Sequence, residues 1–106
     1  MVIERFAVYL VVLDPTVGAE MQKTRPCVVI SPDELNRNLQ TVIVAPMTGV
    51  SRGVPFRVPS EFAGKRGQVA LDHMRAVDKR RLVKRLGKLD QPTGAAVIQA
   101  LLDLFS

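Results

Sequence analysis

The chain has 106 residues, 47% of them apolar and 24% charged, which suits one compact domain over residues 1–106 and leaves no room for separate cofactor and substrate domains. Fifteen Lys and Arg stand against ten Asp and Glu, a net charge of +5 that favours a polyanionic partner. One cysteine, Cys27, excludes an intrachain disulfide framework; no apolar run approaches the roughly 20 residues of a membrane-spanning helix, and the N-terminus lacks a secretory signal pattern, so no membrane partner is expected and the compartment expected is the cytoplasm.

Apolar runs rich in Val, Ile and Leu at residues 6–13, 27–30 and 41–46 predict strands. Between the first two lies a polar segment, residues 14–24, punctuated by Pro15 and Gly18, with the length of a binding loop. Ser31-Pro32-Asp33-Glu34 reads as an N-cap serine, a proline at N1 and acids in the first turn of a short helix. After a second polar loop at 48–53, residues 54–59 alternate in polarity and carry Pro55 and Pro59, as an edge strand would. Short strands are expected at 67–71, 74–77 and 82–89, with a single turn at 78–81. From Thr93 the period changes: Ala96, Val97, Ala100, Leu101 and Leu104 recur at three and four residues and predict an amphipathic helix of about three turns that caps the core or joins a dimer face. The fold expected is mainly β (α+β), a small barrel or strongly curved sheet with short helices and a C-terminal amphipathic helix.

The positive charge is concentrated. Residues 65–88 hold nine Lys and Arg against two Asp, whereas residues 1–22 and 89–106 are each net −2. Lys79, Arg80 and Arg81 are thus candidates for holding a phosphate backbone, against the plainer alternative of a solvated strand face. Other chemistries lack their residues. One His and one Cys do not make a zinc site, no glycine-rich phosphate loop or nucleophile elbow is present, and five aromatics are too few for a base-stacking platform. Cys27 lies in a Val/Ile run, the setting of a buried inert thiol more than of a nucleophile paired with His73. No metal and no cofactor are expected.

The segments Leu13-Asp14-Pro15-Thr16-Val17-Gly18-Ala19-Glu20, Thr24-Arg25-Pro26, Ala45-Pro46-Met47-Thr48, Val54-Pro55-Phe56 and Leu71-Asp72-His73-Met74-Arg75-Ala76-Val77-Asp78, in this order and spacing, resemble the MazF/PemK family of toxins from type II toxin–antitoxin systems. The resemblance runs nearly end to end. It implies an SH3-like β-barrel that acts as a homodimer, cleaves single-stranded RNA, mainly messenger, at specific sequences without a metal, and is neutralised by a cognate antitoxin protein. Arg25 stands at the place of the family's catalytic arginine and Thr48 at that of its catalytic Thr or Ser. Glu20 matches an acid that some members use, and is expected either to accept a proton or, by preference, to pair with Arg25. Asp72 and His73 are expected to contact substrate, with His73 where the family often has Gln. Asp14 and Thr16 are expected to build the loop. The chain departs from the family in carrying Phe6-Ala7 where Gly-Asp usually begins the first strand. Two alternatives remain at this point: a CcdB-like poison of DNA gyrase, similar in fold but without the Arg/Thr pair, and a non-catalytic RNA-binding barrel.

Overall fold

A computed structural model describes residues 2–50 and 52–106; Met1, of the N-terminal stretch, and Ser51, of the 48–53 loop, lie outside the described residues. The elements are β1 (Ala7–Val12), β2 (Thr24–Val29), α1 (Asp33–Asn38), β3 (Thr41–Thr48), β4 (Arg57–Phe62), β5 (Lys65–Ala70), a 3-10 turn (Leu71–His73), β6 (Arg75–Asp78), a second 3-10 turn (Lys79–Arg81), β7 (Leu82–Lys88) and α2 (Gln91–Leu104). The strands form one curled antiparallel sheet in the order β4-β5-β3-β2-β1-β7, with β6 also on β3. The expected mainly β architecture with a C-terminal helix is what the chain adopts.

Strand β3 is the hub. Its first four residues pair with β6, Val44 to Pro46 pair with Val29 to Cys27 of β2, and its last two, Met47 and Thr48, pair with β5. Two apolar clusters lie on opposite faces of the central strands. One gathers Tyr9, Val11, Leu13, Cys27, Val29, Val42 and Val44; the other gathers Val8, Val28, Ala45, Val69, Leu71 and Val97. Burial on both faces explains why the central strands read as unbroken apolar runs instead of alternating. Helix α2 closes the second cluster with Val97 fully buried and Ala100 and Leu101 packed beside it, so its stripe caps the core.

Several boundaries differ from the expectations, each for a local reason. Strand β2 starts three residues earlier, because Thr24 and Arg25 pair with Val12 and Val11 of β1 even though they have little apolar side chain to bury. The edge strand lies at Arg57–Phe62, not 54–59, because Phe56 takes a left-handed φ of 59° and turns the chain. Ser31 does not cap α1: Pro32 holds that position without a side-chain bond, and the buried Ser31 hydroxyl donates to Asn36 Oδ1 at 2.5 Å while accepting from the Ile43 amide at 3.0 Å. Helix α2 begins at Gln91, two residues before the change of period at Thr93, since the Asp90 carboxylate accepts from the Thr93 amide at 2.8 Å and caps the helix there.

Candidate active site

The β2–β3 register places Cys27 opposite Pro46, so two residues further along each strand Arg25 and Thr48 face the same side. The ladder does not reach them. Pro26 has no N–H to donate toward Met47, the next hydrogen-bonding position of the ladder after Val28, and past it the strands part. The opening is a groove of about 530 Å³ whose lining includes Arg25, Thr48, Ser60, Lys65 and Arg66. Arg25 Nε donates to the Gln22 carbonyl at 3.3 Å, which steers the guanidinium while leaving its two terminal nitrogens without a protein partner among the described residues. Thr48 is set by β5: a Cβ on Gly67 would lie 2.5 Å from the Thr48 carbonyl oxygen, so the two strands approach this closely only because residue 67 is glycine.

A second cavity, about 320 Å³, lies on the other side of the β3 end and is lined by Glu20, Pro46, Asp72, His73 and Arg75 among others. The predicted residues thus sort into two neighbouring cavities, Arg25 and Thr48 in one and Glu20, Asp72 and His73 in the other. The expected Glu20–Arg25 ion pair does not form. Glu20 turns back on its own loop, Oε1 accepting from the Val17 amide at 2.5 Å, a bond between neighbours that fixes the loop tip at little entropic cost. Asp14 builds the base of that loop by accepting from the Lys23 amide at 3.0 Å, as expected.

Asp72 is held by Arg57, whose Nε and Nη2 donate to Oδ1 and Oδ2 at 2.8 and 2.9 Å. The hydrogen bonds from Arg57 keep its carboxyl below the usual carboxylate range, against a smaller opposing effect of burial. His73 Nε2 lies 3.6 Å from Asp72 Oδ2, beyond hydrogen-bond length. Cys27 is fully buried, and desolvation pushes its thiol up to about 12; it is not a nucleophile. Among the described residues no three His, Cys, Asp or Glu side chains come together as metal ligands would.

The run Lys79-Arg80-Arg81 does not converge on either cavity. Lys79 Nζ donates to the Asn36 carbonyl at the end of α1, Arg80 pairs with Asp78 through Nε at 3.0 Å, and Arg81 Nη1 donates to the Val12 carbonyl at 3.1 Å and to that of Asp14 at 2.5 Å. Each cation is committed to a different element, and Arg81 with Arg75, whose Nη1 donates to the Leu13 carbonyl at 3.1 Å, ties down the start of the β1–β2 loop. The cations at the Arg25 groove are instead Lys65 and Arg66. The charge count over 65–88 contained them but could not tell them from their neighbours. Arg57 and Ser60 carried no signal in the sequence, since an arginine or serine in an alternating strand reads as a solvated face.

A family model described as PemK-like, MazF-like toxin of type II toxin-antitoxin system matches residues 4–105. The chain belongs to this family. Endoribonuclease PemK of Escherichia coli is 37% identical to this PemK-like, MazF-like chain over 94 residues, 83% of the chain and 71% of the relative. Endoribonuclease EndoA of Bacillus subtilis is 33% identical over 107 aligned positions, covering 95% of this MazF-like chain and 92% of the relative. The crystal structure of MazF from Deinococcus radiodurans superposes with a TM-score of 0.85 at 28% identity, covering 99% of this chain and 97% of that one. This toxin therefore has endoribonuclease homologues along almost its whole length, and among the described residues no helix is long and apolar enough to cross a membrane.

Proposed function

We propose that this toxin is a sequence-specific endoribonuclease that cleaves single-stranded messenger RNA through attack of the 2′-OH on the adjacent phosphorus. The P–O5′ bond breaks as the new P–O2′ bond forms; the 2′ proton passes to solvent and the departing O5′ takes one up from it, leaving a 2′,3′-cyclic phosphate and a 5′-OH. The observation that carries the proposal is the juxtaposition of the Arg25 guanidinium and the Thr48 hydroxyl in one open groove flanked by Lys65 and Arg66. Such a site can do what the reaction needs. The guanidinium fork matches non-bridging phosphate oxygens as charge builds on them, and the threonine hydroxyl donates a further bond there. With a pKa above about 12, Arg25 acts as a donor and not as a base. Glu20, in the neighbouring cavity with Oε1 held by the Val17 amide, is assigned to fix the loop there, and Asp72 and His73 to contact the strand where it enters that cavity. No metal is required by this chemistry, because the nucleophile is the substrate's own hydroxyl.

Family membership also supports a cognate antitoxin and a homodimer as partners. Cleavage of a mixed RNA pool in the presence of a chelator, with end mapping, tests the proposal. Specific cuts with cyclic phosphate ends are expected, and Arg25→Ala should slow them by about two orders of magnitude or more, the scale of losing one oxyanion donor. Intact RNA under all conditions overturns it, and an Arg25→Ala protein that only binds more weakly overturns the role given to Arg25.

A further inference from the structure

Ser60 sits in the middle of β4 with 8% of its surface exposed, and its Oγ is the one buried side-chain oxygen or nitrogen without a hydrogen-bond partner among the described residues. A serine hydroxyl normally finds a carbonyl nearby, and a buried one left unpaired carries the whole desolvation penalty of the group. Its place explains the omission. Opposite Ser60 in the β4–β5 ladder stands Gly67, which has no side chain to offer, and Ser60 lines the same groove as Arg25 and Thr48.

The groove has two distinct parts. Pro26, Met47, Phe62 and Leu86 give it apolar walls suited to the flat face of a nucleobase, while Arg25, Lys65 and Arg66 supply the cations that phosphates on either side of that base would need. Glu61, the only acid in the hairpin, alternates to the opposite face of β4 from Ser60 and stands across from Arg66. A hydroxyl can donate to a ring nitrogen or carbonyl and accept from an exocyclic amine, so it can read a base edge.

We propose that Ser60 is a specificity-determining residue that hydrogen-bonds the edge of one nucleobase flanking the scissile phosphate. The inference rests on the ribonuclease reading above. Its test is cleavage of a single-stranded RNA pool randomised around the cut, by wild type and Ser60→Ala, with thermal unfolding of both proteins measured without RNA. The expected result has two parts. Base preference at a single flanking position flattens by about tenfold in Ser60→Ala, the scale of one hydrogen bond. The Tm of the variant is equal to or above that of wild type, because the hydroxyl removed had no partner to lose. A lower Tm assigns the hydroxyl to the free protein's own bonding and overturns the inference. An unchanged preference profile, with wild type still cutting, overturns it while leaving the nuclease reading intact. Wild-type protein that leaves every RNA whole overturns both.

Discussion

Arg25 owes its position to its strand and not to an ion pair. Its backbone is fixed by pairing with Val11, its Nε by the Gln22 carbonyl, and its remaining nitrogens face the groove. The neighbour two residues on, Cys27, points inward, where burial raises the thiol to about 12. Cys27 should therefore be inert to thiol reagents at neutral pH and react only after unfolding; rapid labelling of the native protein would contradict its burial. Asp72 makes the opposite case. Its carboxyl is lowered from an ordinary 3.8 by Arg57, so the pair's contribution to stability is fully present above that value and is lost as pH falls through the lowered one. The pair is partly exposed, which limits it to on the order of 1 kcal/mol. The Tm difference between wild type and Arg57→Ala should hold steady from neutrality to about pH 4 and vanish in stronger acid, as pH-dependent unfolding would reveal. Arg25, Thr48, Glu20 and Asp72 could be picked out from the sequence through short motifs. Arg57 could not, because only the β4–β5 register brings it alongside a residue 15 positions away.

Strands and turns obey the same division. The central strands were legible because residues buried on both faces are apolar without interruption, whereas the ends of β2 and β4 were not, because pairing with a neighbouring strand extends past the apolar run. The Pro32 cap and the buried Ser31–Asn36 bond were equally hidden, since a serine before Pro-Asp-Glu has the same local pattern whether it caps a helix or turns inward. Phe6 is a further case. It stands where the family usually carries glycine and takes a left-handed φ of 71°, a cost balanced by its amide bond to the Val29 carbonyl at 2.7 Å and by its ring, which packs against Gly94 of α2. Gly67 is the glycine on which the site depends. Gly67→Ala places a methyl group 2.5 Å from the Thr48 carbonyl oxygen, forcing β3 and β5 apart. The expected outcome is a loss of about 1–3 kcal/mol in denaturant unfolding and a turnover reduced about tenfold or more, because the threonine moves with its strand.

Over the whole molecule the net +5 is divided between two uses. Lys79, Arg75 and Arg81 spend their donors on backbone carbonyls, while Lys65 and Arg66 stand at the groove. Charge counting along the sequence found the basic stretch at 65–88 but not this partition, which is set by which carbonyls the folded loops leave open. Salt titrations of RNA binding should separate the two groups. Lys65→Ala and Arg66→Ala should each flatten the log–log salt slope by about 0.7, the value for one phosphate contact on a single strand, with little change in Tm. Arg81→Ala should lower Tm and leave the slope nearly unchanged; a reversed pattern would move the RNA to the other face.

Pro26 gives the molecule a property that no charge supplies. A cleft between two adjacent strands of one sheet would ordinarily zip shut, since each added backbone bond favours pairing over solvent. The pyrrolidine ring of Pro26, one residue past the last β2–β3 pair, withholds the donor that the next rung of the ladder requires. The groove is thus kept open by a missing hydrogen, a wedge written into the backbone itself, and its entrance needs neither a moving lid nor a bound partner to hold it apart.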